Sequence, residues 1–304
     1  MLATSVKSTA HAIALLTTRF RALTLLFAAV LALGCLPSLA LAASVPEIDE
    51  PEPVPASDPR WDALRAQLFN KNEILETDGV ISLDAPRRAF DSARVPVTMR
   101  SLAKQTPDSF IKKLYLIVDK NPVPVAATFI FEPNDGWQTI NTELRVHEYS
   151  TMRVVAEMND GRLHMQTHFI KAAGGCSAPP SSYDRSDKLR LGVIDADIAN
   201  LLNPAVPALA NIRVTHPNAS GMQFDQMSRT YIPPHYIHTI VAEFNDKLLF
   251  TVETNFSLSQ DPVLGFNFEP SENGILKIYA LDSKEQRFEE SWRITASTFE
   301  STSN

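Results

Sequence analysis

The sequence predicts an all-β protein built from two β-sandwich domains, joined by a cysteine-bearing linker and preceded by one short helix. Three observations lead there. Short runs rich in apolar, aromatic and β-branched residues recur in both halves, among them 114–118, 126–131, 235–244 and 248–256. Turn chemistry separates them, most clearly at Asn159-Asp160-Gly161 and at Asn245-Asp246-Lys247. No βαβ rhythm runs through the chain, which excludes a parallel doubly wound sheet.

Composition narrows the function. A net charge of -7 disfavours nucleic acid and anionic membrane surfaces, which both call for basic patches. Residues 1–42 read as an export signal. Lys7, Arg19 and Arg21 are their only Lys or Arg, and they hold no acid. An apolar core spans 25–33, and Ala40-Leu41-Ala42 fits a small-x-small cleavage site. The expected location is therefore periplasmic, without stable membrane insertion. Cys35, in Ala32-Leu33-Gly34-Cys35, loosely resembles a lipoprotein cleavage box. Cleavage after Ala42 would remove Cys35 and leave Cys176 as the one cysteine. An oxidising compartment normally pairs its cysteines, so an unpaired one there suggests a thiol with a job.

In chain order, 43–57 is a proline-rich acidic linker (Pro46, Pro51, Pro53 and Pro55 among Glu47, Asp49, Glu50 and Glu52). A helix follows, with Asp58 as N-cap and Pro59 at the first helical position. Its face of Trp61, Leu64 and Leu68 should pack on a sheet. The first sandwich spans 58–185. Within it, Met152, Val154, Ala156 and Met158 alternate with Arg153 and Glu157. Leu163, Met165, Thr167 and Phe169 alternate with His164, Gln166 and His168. The expectation is an apolar inner face and a solvated outer face carrying the two histidines. A linker covers 186–207, and the second sandwich 208–300. Trp137, Trp292 and the phenylalanines should fill the cores.

The strand that follows Gly161 runs into Gly174-Gly175-Cys176, with Pro179-Pro180 just beyond. Glycine opens backbone conformations closed to other residues, and proline cannot extend a β ladder. The segment reads as a solvent-exposed arm, made flexible by Gly174 and Gly175, that presents the Cys176 sulfur.

Several stretches together resemble a known family. In the first half these are 61–69, 86–97 with its Arg94-Val95-Pro96-Val97 end, and Gly174-Gly175-Cys176; they resemble SoxY. In the second half they are Thr215-His216-Pro217 with Gly221, Ile232-Pro233-Pro234-His235-Tyr236-Ile237, the 245–257 hairpin, 264–268 and 276–282; these resemble SoxZ. The two are the subunits of the periplasmic sulfur carrier of thiosulfate oxidation. Fusions of this kind resemble SoxYZ-like carriers associated with PQQ-dependent quinoprotein dehydrogenases. The resemblance implies immunoglobulin-like sandwiches and a swinging arm. It also implies that Cys176 holds sulfur intermediates covalently. Partners would be Sox-type enzymes or a quinoprotein dehydrogenase and its cytochrome. The chain departs from SoxY in one respect: there the Gly-Gly-Cys-Gly-Gly arm ends the protein. Here a second domain follows, so the tip of a doubly tethered loop projects only about half its contour, at ~3.3–3.6 Å per residue.

Because a carrier's partners supply the chemistry, the chain is expected not to be an enzyme and to need no cofactor or metal. Lys171 is the cation nearest Cys176 in sequence that could favour a thiolate. No CxxC and no hydrolase, P-loop or zincin motif is present. His164 and His168 are too widely spaced along a strand for one tetrahedral metal site. His216, His235 and His238 are assigned structural roles. Two alternatives remain: a docking module for a quinoprotein alcohol dehydrogenase with no covalent cargo, and a thiol enzyme, which would need an acid–base partner beside Cys176.

Overall fold

The computed structural model describes residues 58–76, 79–133, 137–180, 190–199, 207–270 and 272–295. The signal sequence and the proline-rich linker lie outside them. The chain opens on helix α1 (Pro59–Phe69), capped as the sequence predicts: the Asp58 carboxylate accepts the Arg60 N–H at 2.9 Å. Among the described residues, everything after it is strand, turn or loop.

One sheet has nine strands. Their spatial order is β1 (Ile74–Glu76), β8 (Leu163–Ile170), β7 (Ser150–Met158), β4 (Ile111–Val118), β5 (Val125–Phe131), β14 (Lys247–Thr254), β13 (Ile237–Phe244), β16 (Gly274–Asp282) and β17 (Arg287–Ile294). The second sheet runs β2 (Ile81–Asp84), β3 (Val95–Ser101), β6 (Thr139–Leu144), β15 (Val263–Phe268), β10 (Ala208–Val214) and β9 (Ile194–Ala199). A small hairpin, β11 (Phe224–Asp225) and β12 (Thr230–Tyr231), stands apart. Each half of the chain contributes strands to both large sheets, so each is an immunoglobulin-like sandwich.

The two sandwiches join strand to strand. Strand β5 pairs with β14 from Phe131↔Phe250 to Ala127↔Thr254, and β6 pairs with β15 from Thr142↔Leu264 to Ile140↔Phe266. Pairing these strands leaves no open sheet edge at the junction, where a free edge would invite aggregation. Aromatic rings close the same seam. Phe131 stacks on Trp137 with centroids 4.7 Å apart, and Phe250 meets Phe266 edge-on at 4.8 Å. One buried apolar cluster runs through both halves.

Local turn chemistry explains the hairpins. Asn245 and Asp246 both take positive φ, 50° and 59°, as a two-residue type I′ turn between β13 and β14 requires. Gly161 supplies φ 88° between β7 and β8.

The structure corrects the sequence reading at three places. Strand β9, paired with β10 along its length, lies within the stretch expected to be linker. The alternation on β8 has the opposite sense. His164, Gln166 and His168 stand across from Ala156, Val154 and Met152, on the face toward the second sheet. Leu163 and Met165 turn outward and are buried instead under α1, with Trp61 and Phe69. Periodicity fixes which residues share a face, but a helix laid on the outside makes both faces apolar. Arg153, expected in solvent, lies under the same helix. It grips Asp119 through two nitrogens, with contacts of 2.8, 2.9 and 3.1 Å, and its guanidinium sits 4.4 Å from the Trp61 ring centre. Burial pushes the Asp119 carboxyl up, against the pull of Arg153. Replacing Asp119 by Ala strands a buried cation, a change that costs about 3–5 kcal/mol. The expected result is a large drop in the urea midpoint at unchanged m-value.

Candidate functional site

Where β8 ends, the backbone turns across the seam between the halves. Gly174 takes φ +84°, a conformation that side chains rarely adopt. Its N–H donates to the His147 carbonyl at 2.8 Å, and the Gly175 N–H to the Val146 carbonyl at 2.9 Å. The Gly175 carbonyl accepts from Arg145 Nη1 at 3.2 Å. The second half takes over from there. Ser220 Oγ donates to the Cys176 carbonyl, and Gln223 Nε2 to the Ala178 carbonyl at 3.1 Å. The arm is therefore seated, with one wall from each sandwich.

This overturns the expectation of a solvent-exposed arm. Cys176 is 0% exposed, and its neighbour Gly175 is buried as well. Gly175 is not a hinge in this state. A Cβ at this position would lie 2.0 Å from the Ser92 carbonyl oxygen and 2.8 Å from that of Val146. Close backbone approach is what demands glycine here. Burial pushes the Cys176 thiol up to about 11, with Arg145 pulling the other way.

Sequence reasoning missed Arg145. The cation beside the sulfur is this residue, not Lys171. Its side chain is 1% exposed, and burial lowers its own affinity for the proton. It donates to the Gly175 carbonyl and, at 3.5 Å, to the Asn218 carbonyl; its Nε–H has no partner among the described residues. No signal marks it in advance. It sits between Leu144 and Val146, and only the fold shows that its side chain is enclosed.

Nearby, Asn218 ties the seat to a second cluster. The Asn218 amide bonds the Leu258 carbonyl and the Ile237 N–H, and its backbone N–H donates to His216 Nδ1 at 3.0 Å. His216 and His235, given separate structural roles from sequence, face each other with their Nε2 atoms 3.3 Å apart. Asp282 joins them, its Oδ2 lying 2.6 Å from His235 Nε2 and 3.6 Å from His216 Nε2. Three ligand atoms thus lie within 4.8 Å of one another. The Asn218 N–H, however, claims the Nδ1 lone pair of His216 and so places its ring proton on Nε2, where a metal would have to bind. The set fits a hydrogen-bonded buried cluster better than a metal site.

Burial and His235 push His216 down to about 4; burial alone would raise Asp282, but hydrogen bonds from His235, Gln286 and Lys284 outweigh it and hold the carboxyl low. The unfolded chain then takes up a proton at His216 near its ordinary value of ~6.5, before the folded chain does. Stability is complete above pH ~6.5 and falls as the pH drops toward 4, by on the order of 2–3 kcal/mol, with Asp282 adding to the loss at lower pH. Thermal melts from pH 7 to 4.5 should show this slope, and His216→Gln should flatten it.

The described residues also include a cleft beside the arm, lined by Pro179, Pro180, Pro217, Ala219, Gln223 and Phe224 among others. His164 and His168 lie within β8, across from Ala156 and Met152. No helix among the described residues is long and apolar enough to cross a membrane.

Comparison with known proteins matches two family models to this chain. Residues 65–176 match "Sulfur oxidation protein SoxY" and residues 205–293 match "Sulphur oxidation protein SoxZ". No curated protein sequence matches significantly. Among solved structures, the sulfur carrier protein SoxY from Chlorobium limicola f thiosulfatophilum is 22% identical, with a TM-score of 0.32, over 37% of this chain and 91% of that one. A superoxide reductase (neelaredoxin) from Ignicoccus hospitalis is 16% identical, with a TM-score of 0.27, over 31% of this chain and 80% of that one.

Proposed function

We propose that this chain, in which a SoxY domain and a SoxZ domain are joined in one polypeptide, is an exported sulfur carrier that holds its cargo covalently on Cys176. One observation carries the reading: the SoxY match ends on Cys176 itself, at the point where the backbone crosses to the SoxZ half. The continuous sheets support it further, since they hold the two halves in the fixed relation that two separate subunits would have to find. The carrier's own role is storage and presentation, and the Sox-type partner enzymes carry out the redox chemistry.

The thiol must leave its seat to be loaded. Five hydrogen bonds tie 174–178 to the body among the described residues, each worth about 1 kcal/mol net. Release is thus a local opening that leaves the sheets intact. Export follows from the reading of residues 1–42. Intact-mass and peptide mass spectrometry of protein from the periplasm of its native host tests the proposal. The expected result is added sulfur on the peptide containing Cys176, absent from Cys176→Ser. A bare thiol under every growth condition sinks it.

One observation favours a second reading. A sealed, proton-holding thiol is inert. Beside the arm, Phe224, Met227 and Tyr231 are exposed on and around the β11–β12 hairpin. In this reading the chain docks a PQQ-dependent quinoprotein dehydrogenase and Cys176 is packing. Cys176→Ser separates the two: it abolishes a carrier's activity and leaves a docking module's intact.

A further inference from the structure

The seat holds a charge that no ion pair among the described residues answers. Arg145 is fully enclosed, and a guanidinium stays protonated in proteins. Its hydrogen bonds go to two neutral carbonyls, Gly175 at 3.2 Å and Asn218 at 3.5 Å, and its Nε–H is unused among the described residues. Arg94, close by, is itself paired with Glu143 at 3.3 Å, and the exposed Asp91 on the same loop favours the Arg145 charge without forming an ion pair with it among the described residues. A buried cation without an anion is unfavourable unless something supplies the missing charge. The group that changes its charge here is the sulfur of Cys176, and Arg145 acts on it directly.

We infer that Arg145 makes the arm's seat an anion site for a negatively charged sulfur adduct on Cys176, of the thiosulfonate or persulfide class, and that such an adduct fits the seat better than the free thiol or a neutral cap. The inference rests on the carrier reading and adds to it the residue that answers the charge of the cargo. A terminal sulfonate offers three acceptor oxygens to the free Nε–H and to the two Nη groups, in the planar geometry guanidinium favours. The downstream arm residues Pro179 and Pro180 border a cleft with Ala219 and Gln223, so a small shift of this segment would make room for added atoms. Neutral and anionic adducts thus differ in how firmly they hold the arm down. A loaded anionic carrier keeps its cargo shielded from water and stray thiols until a partner opens the seat.

The test loads the full chain chemically. With tetrathionate, the Cys176 thiolate attacks a central sulfur; the new S–S bond forms as the old one breaks, leaving protein–S–S–SO3⁻ and releasing thiosulfate with the electron pair. Methyl methanethiosulfonate gives the neutral counterpart, protein–S–S–CH3, and releases methanesulfinate. Long incubation at pH 9, checked by intact mass, takes each to completion. The anionic form should melt at least about 3 °C above the methyl disulfide and exchange the Gly174 and Gly175 amide protons more slowly. In Arg145→Gln the two adducts should melt together, and in Arg145→Lys part of the preference should return. If neither variant folds, the wild-type comparison decides alone: a sulfonate adduct that melts with or below the methyl disulfide overturns the inference. That outcome leaves native adducts on Cys176 untouched, whereas a bare native thiol with the melting preference intact would overturn the carrier reading and keep the anion site.

Discussion

Cys176 in the native protein should react with iodoacetamide at pH 8 at least about 100-fold more slowly than in the same protein unfolded in urea. The nucleophile is the thiolate. With the thiol pushed up to about 11, the ionised fraction at pH 8 is about 10⁻³; at the ordinary value of 9.0 it is about 10⁻¹. Enclosure adds a second barrier, because reagent reaches the sulfur only when the arm lifts. The pH dependence has a definite sign. An unfolded chain loses the thiol proton near 9 and the folded chain near 11, so stability falls between those values as the pH rises. Native and unfolded rates within a few-fold of each other would mean that the arm spends much of its time off the body. On the proposed carrier function, adding a partner enzyme should raise the native rate, because the seat must open for the thiol to be used.

Which parts of this arrangement the sequence announces depends on the range of the interactions that make them. Asp58 with Pro59, Asn159-Asp160-Gly161 and Asn245-Asp246 act within two or three residues of themselves, so their helix start and hairpins are legible. The cysteine stands out for a similar reason, because glycines and prolines flanking a thiol are a local signal. The seat is assembled from Ser92, Arg145, Val146, Ser220 and Gln223, which belong to separate loops and strand ends; no local pattern joins them. A Gly-Gly-Cys segment that swings and one that is clamped carry the same composition, because glycine serves both flexibility and close approach. The buried Arg153 and the inward His164 escaped for another reason. Alternation marks two faces but not which is covered, and α1 covers the one that looked free. His235 and Asp282 come together because β13 and β16 are neighbours in the sheet, and the Ala219↔His235 bridge brings His216 to them.

Gly175→Ala should unseat the arm. The added methyl would fall 2.0 Å from the Ser92 carbonyl oxygen, 2.6 Å from its carbonyl carbon and 2.8 Å from the Val146 oxygen. All three are backbone atoms. Ser92 and Val146 are themselves bonded to each other, the Val146 N–H donating to the Ser92 carbonyl at 2.8 Å, so neither yields without breaking the loop's own pairing. The arm is the weaker partner, since its hold is a handful of hydrogen bonds and no sheet register. The variant should keep a cooperative unfolding transition, because the paired strands of both halves are untouched, while iodoacetamide labelling of Cys176 rises at least about 10-fold over wild type toward the unfolded rate. Gly174→Ala is the contrasting case. Nothing lies within 4 Å of a Cβ there, and the penalty is the positive φ alone, about 1 kcal/mol. It should loosen the seat slightly and label only a few-fold faster. Equal labelling of Gly175→Ala and wild type would show that the thiol is not held by this contact, and the clamp on the arm would fall with it.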